Sequence, residues 1–330
     1  MKYSLPDFRR LMSRDNNIVQ LIVMTIAIFL IMAALNPDKF LRYYNFESIT
    51  YLFPELGVLS IAMLVAMLTG GIDLSVIGIA NLSGILAGLF FHAVYQSADP
   101  SGGVGVVALG VLLALSVGAA AGALNGFLIT RLRVTPILAT LGTGQVFTGL
   151  ALVLTGGPAI VGFPPAWDFI GNGKILGLAT PFVLFVIIAC AMSFILSRTT
   201  FGLNLLLIGT NPKAAVFAGL RKGRMVFFSY LTTGLLASIA GIILSGRTNA
   251  AKSDYGTSYL LQAILIAVLG GTNPAGGKGT VAGISIAVVA LMFLSSGFQI
   301  LRFSNHLIDF IWGAFLLLVI AINAFRNRVR

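Results

Sequence analysis

Apolar residues run along this chain in long blocks, separated by short breaks rich in glycine, proline and charge. The blocks fall at 18–35, 50–69, 76–95, 104–130, 134–155, 176–197, 225–246, 259–270, 279–299 and 306–325. A helix that crosses a bilayer needs about 20 mostly apolar residues. The pattern therefore predicts an all-α, polytopic membrane protein of about ten transmembrane helices. The run at 259–270 is short, and a glycine-rich break separates it from 279–299. These two alternatively form a broken or re-entrant pair. No stretch is long or polar enough for a soluble domain, so residues 1–330 read as one transmembrane domain.

Composition agrees. The chain is 58% hydrophobic and 9% charged, whereas soluble domains carry about 25% charged residues. A soluble fold of this length has too much surface in water to hide so much apolar area. The formal net charge of +11 does not point to nucleic acid, because the basic residues sit in the breaks rather than on one arm or face. The single cysteine, Cys190, lies within an apolar run. It reads as a small buried hydrophobe, with no disulfide and no metal-type spacing around it. The first run follows Lys2, Arg9, Arg10 and Arg14, as a signal peptide's core would. It exceeds the usual length of about 7–15 residues and reads as a retained first helix.

Basic residues set the expected orientation. With the N-terminus in the cytoplasm, the inner breaks hold 15 of the 21 Lys and Arg residues and the outer breaks hold 6. Both termini are thus expected inside. The longest inner break, about 198–224, carries Arg198, Lys213, Arg221, Lys222 and Arg224. The longest outer break, 156–173, carries Pro158, Pro164, Pro165 and Trp167.

Polar positions inside the apolar pattern are few. Gly70-Gly71-Ile72-Asp73-Leu74-Ser75 interrupts it between the second and third runs. Paired glycines allow a tight turn. An intramembrane carboxylate is costly and marks function, but the plainer reading places Asp73 in a turn at the inner surface, capping the next helix with help from Ser75. Gly270 to Thr280 looks at first like a phosphate-binding loop. It fails that pattern, since Thr272 stands where the first glycine belongs and Gly279 follows Lys278 where Ser or Thr is required. It reads as a tight turn that echoes Gly70–Ser75, a weak internal repeat. Gly118, Gly122 and Gly126, and Gly84 with Gly88, recur every four residues, a spacing that lets helices pack backbone to backbone. Asn81, Asn125, Thr140 and Gln145 are expensive in lipid, so each is expected to face protein or a hydrated path. Interhelical hydrogen bonding and solute contact are equally consistent with these four. Finally, Asn211-Pro212-Lys213-Ala214-Ala215-Val216-Phe217-Ala218-Gly219 carries an N-cap, a first-turn proline and a terminating glycine. It predicts a short helix that needs a partner, either another protein or the lipid headgroups beneath its basic flanks.

Four stretches resemble one family in the same order: Gly70–Ser75; Asn125-Gly126 with Val134–Thr143; Gly202-Leu203-Asn204 with Ile208–Ala215; and Leu269–Thr272 with Gly276–Gly279. The chain resembles bacterial ABC-importer permeases of the ribose/simple-sugar and branched-chain amino-acid type, with the sugar branch closer. One departure is that Val76 and Ile77 delay to Gly78 the glycine that often follows Asp-Leu-Ser in that family. The resemblance implies a permease pair (a second copy or a homologue), cytoplasmic ABC ATPase subunits and a periplasmic solute-binding protein, in a bacterial inner membrane. It also implies that the 198–224 segment docks on the ATPase, through Asn211, Pro212, Ala214, Ala215, Phe217, Ala218 and Gly219.

The expected function is passage of a small polar solute, a monosaccharide or polyol, along Asn81, Asn125, Thr140 and Gln145. Gly70, Gly71, Asp73 and Ser75 form a structural turn, and Asp168 and Asp254 are contact points for the binding protein. No catalytic residue, cofactor or metal is expected, because energy enters through the partner ATPase. An ion-coupled secondary transporter is the alternative. It needs ionisable groups near mid-membrane, and the pattern offers none there. An intramembrane enzyme lacks any Ser–His, paired-Asp or metal constellation.

Overall fold

A computed structural model describes residues 16–95 and 103–328. Lys2, Arg9, Arg10, Arg14, Asp99 and Arg330 lie outside the described residues, as do the side chains of Arg326 and Arg328. Every apolar run forms a helix. In chain order these are α1 (Asn16–Leu35), the short α2 (Pro37–Phe40), α3 (Tyr43–Leu52), α4 (Pro54–Leu68), α5 (Val76–Val94), α6 (Val104–Thr130) and α7 (Pro136–Thr155). They continue with α8 (Pro165–Asn172), α9 (Thr180–Arg198), α10 (Thr200–Thr210), α11 (Pro212–Phe217), α12 (Lys222–Thr248), α13 (Tyr259–Leu269), α14 (Val281–Ile300) and α15 (Asn305–Arg328).

Among the described residues, seven helices are long and apolar enough to cross a membrane. An eighth span results if α3 and α4, bent by 45° at Phe53, are joined. The ten runs thus yield seven or eight spans of full length. The shortfall has a physical cause in α13, whose 11 residues rise only about 16 Å, half the hydrocarbon thickness. It stops at Gly270, where the chain leaves the helix inside the bundle. Helix α15 is 24 residues long; its described apolar part is His306–Leu318, and most side chains beyond it lie outside the described residues.

The bundle is built around α4, all 15 residues of which are buried. Helices α12, α13, α9 and α14 pack against it, while α5 and α6 lie against α12. The α6–α12 approach is close because glycines face it. A Cβ on Gly118 would strike Gly234 O and Ser238, one on Gly122 would strike Tyr230 O, and one on Gly126 would crowd Phe227. Helix α1 joins the bundle through α14, with Phe29 and Phe293 ring centroids 5.4 Å apart. Cys190, expected to be buried, is exposed on α9. That helix turns an apolar outer face away from the bundle, with Ile187 and Phe194 exposed on it.

Two small strand pairs close the end of the bundle at Arg247. β1 (Ile160–Val161) pairs antiparallel with β4 (Ala250–Ala251), in the register Ile160 to Ala251. β2 (Lys174–Ile175) pairs with β3 (Leu178–Ala179) across a two-residue turn.

Candidate functional site: two membrane breaks and the segment that meets them

The break between α4 and α5 is held by side chains from three other helices. Asp73 Oδ1 accepts from the Ser75 backbone N–H at 3.0 Å and from Ser75 Oγ at 2.6 Å. Asp73 Oδ2 accepts from Thr233 Oγ1 of α12 at 2.6 Å. Asn125 of α6 donates to Ser75 Oγ at 2.7 Å, and Thr143 of α7 donates to Asn125 Oδ1 at 2.6 Å. Thr140 Oγ1 lies 3.1 Å both from the Leu74 backbone N–H, which donates to it, and from Ile72 O. Asp73 and Ser75 form a side-chain-braced turn, but Ser75 stands at the N-cap of α5 without a side-chain capping bond, so the cap expected there is not made. The depth of the turn also differs from expectation. Thr233 lies 11 residues into α12, about 16 Å along an axis of about 40 Å. The Asp73 carboxyl, fully buried, therefore sits inside the span and not at its surface. An ionisable group inside the span, which the sequence pattern did not offer, is thus present.

The second break, between α13 and α14, is organised by its own backbone. Asn273 N–H donates to Lys278 O at 2.9 Å, Gly276 N–H donates to Asn273 O at 2.9 Å, and Asn273 Nδ2 donates to Gly276 O at 3.1 Å. It touches the first break directly, where Gly277 N–H donates to Leu68 O at 3.1 Å.

The 198–224 segment contains one helix more than its sequence suggested. Thr199 Oγ1 accepts from the Gly202 N–H and caps α10, whose apolar run Leu205–Ile208 was hidden among basic neighbours. Asn211 then caps α11, accepting from the Ala214 N–H at 3.0 Å. Pro212 is its first residue, and Gly219 closes it with φ +86°. Ala215 is buried against the chain's own surface, while Lys213, Ala214, Val216, Phe217 and Ala218 face outward. Phe217 is 92% exposed.

The four candidate path residues do not converge. Asn125 and Thr140 are committed to the first break. Asn81 donates to Ser253 O and Tyr255 O, each at 2.9 Å, beside a small recess that Ser245 and Lys252 also line. Gln145 is exposed on the outward face of α7, among Leu138, Leu141 and Val146. At the Arg247 end, Asp168 accepts from Asn172 at 2.9 Å and Asp254 pairs with Lys252 at 2.9 Å. That carboxylate's bond and charge raise the Lys252 ammonium above its ordinary range. The pair between Glu55 and Arg247 has no local signal, since its members stand 192 positions apart. Arg247 Nε and a terminal nitrogen donate to the fully buried Glu55 Oε1 at 3.0 and 2.8 Å, fastening α4 to α12. Among the described residues no group of three His, Cys, Asp or Glu is placed to hold a metal ion.

A polytopic helical bundle with broken helices at its centre, and with a capped, exposed helix between spans, defines a transport subunit. Residues 45–320 match the family described as the branched-chain amino acid transport system / permease component, and the chain belongs to that family. It is 34% identical over 284 residues to the Autoinducer 2 import system permease protein LsrD of Photorhabdus temperata, covering 83% of this chain and 82% of the relative. The LsrD proteins of Escherichia coli (strain K12) and Shigella flexneri are also 34% identical, over 271 residues, with 80% of this chain and 79% of each relative covered. No solved structure matches. The chain is accordingly a multi-pass permease subunit of an ABC importer and not an enzyme. Its family implies ATPase and periplasmic binding-protein partners. The ion-coupled alternative gives way to this assignment.

Proposed function

We propose that this permease forms the inner-membrane path of a bacterial importer for a small polar, sugar-like solute, with autoinducer 2, named for its relatives, as the first solute to test. In this reading residues 1–330 are one transmembrane domain of about ten spans, counting α13 and α15, with both termini cytoplasmic. A second copy or a homologue completes the path. Gln145 faces that path, and Asn81 gives onto it through the recess beside Lys252. The binding protein meets the end that carries Asp168 and Asp254, and the ATPase meets α11.

The observation that carries the reading is Phe217, a 92% exposed aromatic at the end of a helix capped by Asn211, between basic residues. An aromatic so placed is spent on a partner's pocket, and burying such an anchor is worth about 2 kcal/mol or more. Asn211, Pro212, Ala214, Ala218 and Gly219 shape the docking helix, and Ala215 seats it on its own chain. In proteoliposomes holding the permease and its cognate ATPase and binding proteins, Phe217→Ala is expected to weaken ATPase association by about 30-fold, the equivalent of that energy. Insertion of the permease is expected to be unchanged. Normal ATPase affinity in this variant removes α11 from the docking role.

A further inference from the structure

Three chain segments meet through glycines, just where α10 hands over to α11. A Cβ on Gly209 would overlap Leu68 O of the first break and Gly277 N of the second. A Cβ on Gly276 would come within 2.9 Å of Gly209 Cα and 3.0 Å of Gly70 N. One on Gly70 would come within 3.0 Å of Ala275 O. At Gly209, Gly276 and Gly70 backbone thus lies on backbone, and at Gly277 the Thr210 backbone and hydroxyl press as close. Gly209 is only two residues before Asn211, the cap of α11.

We infer that Gly209, Gly70, Gly276 and Gly277 form a joint through which α11 and the second membrane break move as one body against the first. Side chains in ordinary packing absorb small displacements by changing rotamer, whereas backbone atoms in contact have no rotamers to change. A displacement of α11 therefore carries the second break with it without slack, and bears on Leu68, the end of the helix that leads into the fixed first break. Gly209 is a positioning residue for coupling. It sits inside α10 with helical backbone, so alanine there meets no conformational penalty and acts only by forcing the surfaces apart. The joint rests on the reading of α11 as the segment that meets the ATPase.

The test uses spin-label distances in the assembled transporter, on a Cys190→Ser background, in nucleotide-free and ATP-bound states. Labels at Val216→Cys on α11 and Pro274→Cys on the second break are expected to keep one distance in both states. Labels at Val216→Cys and Leu138→Cys on α7 are expected to change theirs. A change of about one helical turn, ~5 Å, in the 216–274 distance overturns the joint. A 216–138 distance that never changes overturns the coupling reading, and the joint with it. Introducing Gly209→Ala is expected to shift the 216–274 distance and to lower the ATPase response to loaded binding protein by at least about fivefold, the lower bound for an allosteric coupling. Gly313→Ala, where a Cβ meets nothing within 4 Å, is expected to change neither. If Gly209→Ala leaves the response and the 216–274 distance unaltered while Phe217→Ala abolishes docking, the joint fails and the coupling reading stands. If Gly209→Ala does not insert, the 216–274 distance in the otherwise unaltered chain decides.

Discussion

The two breaks follow helices of the same kind, and both open with paired glycines, yet they are stabilised in opposite ways. Gly70–Ser75 makes few bonds within itself beyond Asp73 to Ser75, and is held by Asn125, Thr140 and Thr233 from three neighbouring helices. Gly270–Thr280 holds itself through Asn273 and its own carbonyls, and Asn273, Pro274, Ala275 and Lys278 are exposed. Inside a bilayer a non-helical backbone persists only where protein or water satisfies it. The first break borrows that satisfaction from the bundle and is fixed relative to α6, α7 and α12. The second supplies its own and meets the first break and α10 through glycine contacts, so under the joint inferred above it moves with α11. One break thus serves as an anchor and the other as a moving part.

The largest test of the comparison is Asp73→Ala. It leaves the Ser75 backbone N–H and hydroxyl without their acceptor, and each orphaned buried group costs about 1–3 kcal/mol, while Thr233 keeps only its bond to Tyr230 O at 2.9 Å. A loss of about 4 kcal/mol is expected, read as a collapse in the yield of folded permease and in its thermal midpoint in detergent. Asp73→Asn keeps one acceptor oxygen and is expected to lose about half as much. If Asp73→Ala folds as well as the parent chain and loses only transport, the carboxyl acts on solute and the anchor reading is wrong.

Asn125→Leu comes next. It removes one bond to Ser75 and one from Thr143, and interhelical hydrogen bonds in membranes average about 0.6 kcal/mol each. A loss of about 1–2 kcal/mol is expected in the same melting assay, with transport falling in step with stability. Transport lost with the melting point unchanged shows that Asn125 faces the path as well as the break.

Much of this arrangement was legible in the sequence because its signals are local. The apolar runs, the four-residue glycine spacing of α6 and the Asn211-Pro212 start of α11 each depend on residues within a few turns, and each produced the expected element. The depth of Asp73 was not legible, because the run ending at 69 and Gly70-Gly71 mark where α4 stops but not that this end lies beside Thr233, well inside α12. Helix α10 was missed because basic residues on both sides made its apolar core read as part of a loop. The Glu55–Arg247 pair joins residues brought together only by the full fold. Of the path candidates, composition showed that each needed shelter from lipid, but only packing separated Asn125 and Thr140, spent on structure, from Gln145, which still faces outward.

Asn273→Ala is expected to have the smallest effect, and it discriminates most finely between the two breaks. It removes the donor to Gly276 O and the acceptor for the Ala275 N–H, both within one exposed loop, where water replaces the lost partners and a neutral hydrogen bond is worth about 1 kcal/mol. The Gly277–Leu68 bond and the glycine contacts do not pass through the Asn273 side chain. The thermal midpoint is therefore expected to be almost unchanged, while a spin label at Ala275→Cys becomes more mobile because the loop has lost its internal brace. A second break that holds itself must loosen locally without loosening the bundle. If Asn273→Ala lowers the melting point as far as Asn125→Leu does, the second break is an anchor too, and the contrast between a fixed and a moving break collapses.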